Sequence, residues 1–197
     1  MGGVLRAAVI AAAQALYLFA PLLVSAAISG LVLRFDWLRI LRRPIDHRVT
    51  FRRRRLFGDS KTWRGVAVAV VGSIGAVLAQ KVIRTHAPAF LQVVDYGRLD
   101  PVWFGGAMGA GAMIGELPNS FVKRQVGIPP GKTARGWQAV VFYLWDQIDL
   151  LIGAWPLLLF WFLPSVLLFA MSFIVALAVH PLVALVGYAI GARTSPR

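Results

Sequence analysis

"LWDQIDLLIGAWPLLLFWF", residues 144–162, has the composition of a membrane span, yet it contains two carboxylates, Asp146 and Asp149. The whole chain has only eight acidic residues. An ionised carboxylate inside a span is costly unless it is paired, hydrated or bound to metal. Two carboxylates at i, i+3 also share a helix face and repel each other. This stretch therefore predicts a membrane helix with a site that uses both charges.

Composition extends this prediction to the whole chain. The 197 residues are 58% hydrophobic and 15% charged, with a mean hydropathy of +0.70, whereas a soluble domain has about 25% charged residues. We therefore predict an all-α, integral membrane protein that forms one polytopic domain over residues 1–197. The absence of cysteine excludes disulfides, thiolate metal sites and cysteine nucleophiles.

Five long apolar stretches predict about five transmembrane helices. The first run after Arg6 is longer than the core of a signal peptide, so we expect it to be a retained helix. Small residues in the second and third stretches predict close packing of helix backbones. The spans are predicted at about residues 7–33, 65–80, 101–118, 137–162 and 164–190.

The distribution of lysine and arginine predicts the orientation. Seventeen of the 21 fall in the loops 34–64 and 116–136 and in the tail, which holds Arg193 and Arg197. With five spans these segments share one side, so the positive-inside rule predicts that both basic loops and the C-terminus are cytoplasmic. The N-terminus is then outside the cell (inner) membrane. In a membrane protein the net charge of +13 indicates contacts with phosphates and anionic head groups, and we expect no nucleic-acid partner.

Six of the eight acids fall on the predicted cytoplasmic side, close to basic residues. They include those of "FGDSKTWRG" (57–65), "GELPNSFVKRQVGIPPG" (115–131) and "DQID" (146–149). Carboxylates suit Mg²⁺, and neighbouring cations suit phosphate, so these are the parts of a phosphoryl- or nucleotidyl-transfer site. The run Arg52–Arg55 is interpreted as a topology signal or lipid-surface patch.

The same residues permit other functions. Asp146 and Asp149 could form a structural pair bonded to Arg135 or to helix ends. The acids could also line the pathway of a small cation or proton transporter, or belong to a non-catalytic membrane scaffold. Clustering of the acids at one membrane side, beside phosphate-binding cations, argues against transport.

In this order, the motifs resemble the CDP-archaeol synthase family. The resemblance covers about residues 44–153 and rests on "RRPIDHRVTFRRRRLFGDSKTWRG" (42–65), the segment 115–131 and "DQIDLLIG" (146–153). Members of that family are membrane cytidylyltransferases, similar to CDP-diacylglycerol synthases. The resemblance implies transfer of CMP from CTP to a lipid phosphate, with Mg²⁺ as cofactor and diphosphate as the second product.

The resemblance also implies roles for individual residues. The catalytic residues would be Asp59, Lys61, Lys123, Asp146 and Asp149. The metal ligands would be Asp59, Glu116, Asp146 and Asp149. The substrate-binding residues would be Asp46, Thr62, Arg64, Asn119, Ser120 and Arg124.

Two positions depart from the family pattern. Glu116 stands where the family has aspartate, and Asn119 stands where it has lysine, so a cation is missing beside the expected phosphates. Either change could mean a different lipid substrate, a weaker activity or a lost one. The alanine- and arginine-rich composition resembles that of a high-GC bacterial protein, which predicts a bacterial member and a bacterial lipid phosphate as acceptor.

Overall fold

The computed structural model describes residues 2–189 and 191, apart from the side chain of His180. The tail arginines Arg193 and Arg197 lie outside this part, so their predicted position is not described. The predicted all-α fold is confirmed within it. Its helices are α1 (Gly2–Arg34), α2 (Trp63–Ile83), α3 (Pro101–Gln125), α4 (Trp137–Leu158) and α5 (Val166–Ala189).

Four helices of the described chain, all except α3, are long and apolar enough to cross a membrane. The third helix is less hydrophobic because it is rich in glycine and ends in a polar segment. It packs between α2 and α4. A Cβ atom on Gly105 would lie 2.7 Å from the Cα of Ile74, and one on Gly111 would lie 2.6 Å from the carbonyl oxygen of Gly153. The small residues therefore let the backbone of α3 contact both neighbours, as their spacing predicts.

The ends of two helices differ from the sequence-based prediction. Helix α3 was expected to end near Pro118 but continues to Gln125, so the first part of the predicted loop 116–136 is helical. Asn119 and Arg124 on this extension are buried against the rest of the protein, and these contacts outweigh the loss of one backbone hydrogen bond at proline. Helix α4 ends at Leu158, four residues earlier than predicted.

Both basic loops lie at one end of the bundle and contact each other. The longer loop contains a small antiparallel hairpin of β1 (Thr50–Phe51) and β2 (Arg54–Arg55). Arg54 donates a hydrogen bond to the carbonyl oxygen of Gln125. Gly58 has φ +86°, and a Cβ atom there would lie 2.8 Å from Cγ of Pro130 in the other loop. Glycine is thus required at position 58, where the two loops meet.

The core lies towards the opposite end, between α1, α3 and α4. Trp155 of α4 packs edge-on against Phe19 of α1, with ring centroids 5.3 Å apart, and its indole N–H donates to Ser172 of α5 at 3.0 Å. These contacts fix the rotation of α4. The fully buried large side chains include Leu18, Tyr96, Phe104, Met108 and Leu158.

Candidate active site

The candidate site is built on the contact between α3 and α4. Asn119 of α3 donates through Nδ2 to Oδ1 of Asp146 at 2.6 Å and to Oδ2 of Asp149 at 2.9 Å. The approach depends on Gly115, where a Cβ atom would lie 2.7 Å from the backbone nitrogen of Gly153. Two carboxylates three residues apart on α4 therefore converge on one amide of α3.

Lysine residues neutralise two of the three acids at this contact. Lys123 forms an ion pair with Asp146, and Lys61 from the loop before α2 forms one with Glu116. Asp149 differs, because it has no ion-pair partner within the described residues. It is 5% exposed. Among the described residues, its one other hydrogen-bond donor besides the Asn119 amide is the backbone N–H of Leu150, at 2.8 Å. We call these five side chains, Lys61, Glu116, Lys123, Asp146 and Asp149, together with Asn119, the acidic seam.

Arg124 supplies an unpaired buried charge of the opposite sign. It is 8% exposed, and its Nε and one Nη have no hydrogen-bond partner in the described part of the chain. The side chain lies against the loop at Gly58, where an added Cβ atom would be 3.4 Å from its Cδ. Ser120, one turn earlier on α3, is also buried. A buried guanidinium without an acceptor is costly, and an anion would satisfy it.

Asp46 organises the first basic loop. Its carboxylate accepts hydrogen bonds from Arg55 at 2.6 Å and from the backbone N–H groups of Phe57 and Gly58 at 3.1 Å each. Burial acts to raise the pKa of Asp46, but these hydrogen bonds outweigh it and lower the pKa to about 2. The side chain has no exposed surface, so in this structure Asp46 shapes the loop. Its predicted contact with a substrate stays a prediction.

Arg55 organises the first basic loop, a role that the sequence did not predict. It was grouped with the surface patch Arg52–Arg55, but it is only 26% exposed and holds both Asp46 and Asp59. Its position four residues before Asp59 was the available signal.

The residues at the start of α2 also have structural partners. Thr62 caps the helix by accepting from the backbone N–H of Gly65 at 3.3 Å. Arg64, predicted to grip phosphate, instead donates to Asp36 at 2.8 Å and to the carbonyl oxygen of Trp37 at 3.2 Å. This ion pair ties the end of α1 to α2.

The predicted four-carboxylate metal centre is not assembled. Across the described residues, no group of three or more His, Cys, Asp or Glu side chains is arranged to hold one ion. Asp59 makes no hydrogen bond or ion pair with the acidic seam among the described residues; it lies in a loop, is 72% exposed and is bound to Arg55 at 2.9 Å. Asp146 and Asp149 converge on Asn119, while Glu116 is bound to Lys61.

A cavity of about 650 Å³ extends from Lys61 and Glu116 of the acidic seam along α1 and α5. Most of its wall is apolar and comes from α1 and α5. Its polar end is formed by Lys61, Thr62, Arg64 and Glu116. The ion pair between Lys61 and Glu116 therefore belongs both to the cavity and to the acidic seam.

The comparisons with known proteins agree with this architecture. The family described as CDP-archaeol synthase matches residues 9–196. A CDP-archaeol synthase from Halorubrum lacusprofundi is 33% identical over 168 residues, which cover 78% of this chain and 83% of the relative. One from Halobacterium salinarum is 36% identical over 115 residues, 57% of this chain and 56% of the relative.

The match with some relatives is partial. It spans about half the length of the Halobacterium protein and 52% of a CDP-archaeol synthase from Pyrococcus furiosus, which is 38% identical over 95 residues. A solved structure of an intramembrane enzyme for archaeal membrane lipid biosynthesis superposes with a TM-score of 0.59 at 27% identity, covering 84% of this chain and 89% of that one. The three sequence relatives are archaeal, so a bacterial origin stays a prediction.

Proposed function

We propose, from the premise that this chain belongs to the CDP-archaeol synthase family, that it transfers CMP from CTP to a membrane lipid phosphate. The observation that carries the proposal is the presence of two buried, unpaired charges, Asp149 in the acidic seam and Arg124 at the end of α3 beside the loop at Gly58. Asp149 and Arg124 have opposite signs, and neither has an ion-pair partner within the described residues. Burying such charges is unfavourable in a scaffold that binds no ligand, whereas a cation bound to a nucleotide would satisfy both Asp149 and Arg124.

The cavity supports a lipid as the acceptor. Its apolar wall lies between α1 and α5, two of the helices suited to cross a membrane, and its polar end contains Lys61 and Glu116. A lipid could keep its hydrocarbon chains among these helices while its phosphate reaches Lys61. The nucleotide would approach from the basic loops at the same end of the bundle.

The reaction requires little proton chemistry. An oxygen of the lipid phosphate would attack the α-phosphorus of CTP, forming a new P–O bond. The bond from this phosphorus to the oxygen that bridges to the β-phosphorus would break, and diphosphate would leave with that oxygen. The nucleophile is already anionic, so the main barrier is repulsion between two phosphate groups. Lys61, Lys123 and Arg124 would lower it by offsetting the charge that develops on the phosphates.

The donor set of the acidic seam fits Mg²⁺, which prefers oxygen ligands. Asp146 and Asp149 each place an oxygen within hydrogen-bonding distance of the same Asn119 nitrogen, and the Asn119 oxygen is buried without a partner among the described residues. We propose that these aspartates would hold the ion, with Glu116 nearby. Bound Mg²⁺ would neutralise phosphate oxygens and stabilise the diphosphate leaving group.

We also propose where the chain lies and how it is oriented in the membrane. The described helices make the chain a multi-pass membrane protein. Since CTP is cytosolic and the basic loops surround the acidic seam, we place these loops and the C-terminus on the cytoplasmic side of the cell membrane, with the N-terminus outside. Composition favours a bacterial lipid phosphate, such as phosphatidate or a polyprenyl-type phosphate, over an archaeal ether lipid.

The decisive experiment is an acceptor screen. Purified full-length protein is incubated with CTP, Mg²⁺ and a panel of ether, acyl and polyprenyl lipid phosphates, and nucleotide-lipid products are identified by mass spectrometry. We expect one acceptor class to give a CDP-lipid together with an equal amount of diphosphate. Asp149→Asn should abolish the product, while Asp95→Asn, an exposed aspartate at the other end of the bundle, should not. No product with any acceptor, combined with ion flux in liposomes, would establish the transport alternative.

A further inference from the structure

Asn119 occupies a central position in the acidic seam but uses only half of its side chain. Its Nδ2 bridges Asp146 and Asp149, whereas its Oδ1 is buried and has no hydrogen-bond partner within the described residues. The residue as a whole is 2% exposed. An unsatisfied buried carbonyl costs about 1–3 kcal/mol, so this oxygen is expected to have a partner in the working protein.

We infer that Asn119 is a ligand of the divalent cation through Oδ1, reached by a half-turn of its amide group. This inference rests on the proposed function, because it concerns the cation that the proposed reaction uses. In this structure the amide nitrogen bridges the two carboxylates. When the cation binds, the amide turns over and Oδ1 occupies the position that Nδ2 has in this structure.

The spacing of the atoms fits this exchange. Rotation about the last side-chain bond swaps oxygen and nitrogen with little change in shape, because the two ends of the amide are nearly equal in size. Oδ1 would then lie about as far from the carboxylate oxygens as Nδ2 does, at 2.6 Å from Asp146 and 2.9 Å from Asp149. Neighbouring oxygens in an octahedral Mg²⁺ site, with metal–oxygen distances of 2.0–2.1 Å, lie about 2.9 Å apart.

Electrostatics make the turn dependent on the cation. Without an ion, three oxygens at this spacing repel each other, and the amide nitrogen is the favoured neighbour of the carboxylates. With an ion between them, the amide N–H groups would face a positive charge, and the oxygen is favoured. Lys123 also contacts Asp146, so the cation must share Asp146 with Lys123, whereas Lys61 and Glu116 form a separate ion pair.

The inference also accounts for the missing third ligand. In the described chain no three carboxylate or imidazole groups are arranged around one point. Asp146, Asp149 and the Asn119 amide supply three protein oxygens, and water and substrate phosphates would complete the coordination, as is usual for Mg²⁺.

A direct test is possible because Asn119 is the single asparagine of the chain. Full-length protein is made by cell-free synthesis with asparagine carrying ¹³C at Cγ, placed in lipid nanodiscs, and titrated with Mn²⁺ without CTP or lipid phosphate. Pulsed electron–nuclear double resonance should show a ¹³C coupling from the amide carbon, since Cγ is bonded to the ligand oxygen. Bound Mn²⁺ without this coupling would overturn the inference, and so would a protein that binds no Mn²⁺ at millimolar concentration.

Substitution provides a second, independent readout. Asn119→Leu should weaken Mn²⁺ binding at least about tenfold, a loss typical of a disturbed metal site. We expect Mn²⁺ to raise the melting temperature of the wild-type protein but not that of this variant. Gln80→Leu is the matched control, since Gln80 is also a buried amide with an unpartnered oxygen among the described residues but lies in α2. It should bind Mn²⁺ as the wild type does. Unchanged Mn²⁺ affinity of the folded Asn119→Leu variant would refute the ligand role. Because these assays use Mn²⁺ alone, they decide the ligand role of Asn119 separately from the reaction, and absence of CMP transfer by the wild-type protein would refute the proposed function.

Discussion

Replacing Gly153 with alanine should disrupt the acidic seam from a distance. A Cβ atom at this position would lie 2.6 Å from the Cα of Gly115 and closer still to the carbonyl oxygen of Gly111. Carbon atoms in contact are about 3.5–4.0 Å apart, and the neighbours are backbone atoms that cannot rotate away. Helices α3 and α4 must therefore separate locally by about 1 Å or more.

That separation is enough to break the contacts of Asn119. Hydrogen bonds of 2.6 and 2.9 Å to Asp146 and Asp149 would lengthen beyond the usual limit of about 3.2 Å. Overpacking of this kind costs about 1–3 kcal/mol. We expect a lower melting temperature in nanodiscs together with a fall in CMP transfer of at least about tenfold.

The control is Gly75→Ala on α2, where an added Cβ atom has no neighbour within 4 Å among the described residues. Alanine favours a helix over glycine by about 1 kcal/mol, so this variant should be as stable as the wild type or more so, with full activity. If Gly153→Ala matched Gly75→Ala in both measurements, the close approach of α3 and α4 would not be what assembles the site.

Three further perturbations probe single charges. Asp149→Asn keeps the size of the side chain but removes the unpaired charge. CMP transfer from labelled CTP should therefore fall at least about hundredfold, while the melting temperature stays the same or rises. Retained activity would show that Asp149 is not part of the site. The pKa of Asp46 is lowered to about 2, against an ordinary value near 3.9. Ionised Asp46 therefore adds about 2–3 kcal/mol to the free energy of unfolding above about pH 4, and this stabilisation is lost as the pH falls towards 2. Asp46→Asn should remove this acid sensitivity and speed hydrogen exchange at Phe57 and Gly58, and protection equal to the wild type would contradict the role in the loop. Arg124→Met removes a buried guanidinium with unsatisfied donors, so the melting temperature should hold or rise, whereas KM for CTP should increase about tenfold or more because a charged hydrogen bond is worth about 1.5–3 kcal/mol. An unchanged KM would show that Arg124 does not bind the nucleotide.

Most of the helical architecture could be predicted from the sequence because hydropathy is a local property. The long apolar stretches correspond to helices, and the spacing of small residues indicated close contacts such as that between Gly111 and Gly153. The end of α3 could not be predicted, since a polar segment after Pro118 resembles the start of a loop. Only burial of Asn119 and Arg124 against other segments keeps it helical.

The partners of the charged residues were less predictable. Arg64 and Asp36 are 28 positions apart, and their ion pair forms only because α1 and α2 lie side by side. Motif spacing identified Asp146 and Asp149 but gave no reason to separate Asp59 from them. Asp59 pairs with Arg55 because of the way the first basic loop folds back. Composition and periodicity do not determine the path of that loop.

The charge pattern of the acidic seam explains how two aspartates are tolerated in a membrane helix. Asp146 is at the more exposed end and is neutralised by Lys123, so its cost is small. Asp149 is deeper, and the Asn119 amide offsets its charge less than a cation would, so part of the cost of burying it remains. Arg124 carries a similar cost with the opposite sign. A cation alone would satisfy only the aspartate and a free phosphate only the arginine, whereas a cation–nucleotide complex satisfies both. Because neither ligand alone satisfies both residues, we expect Mg²⁺ and CTP each to bind more tightly in the presence of the other.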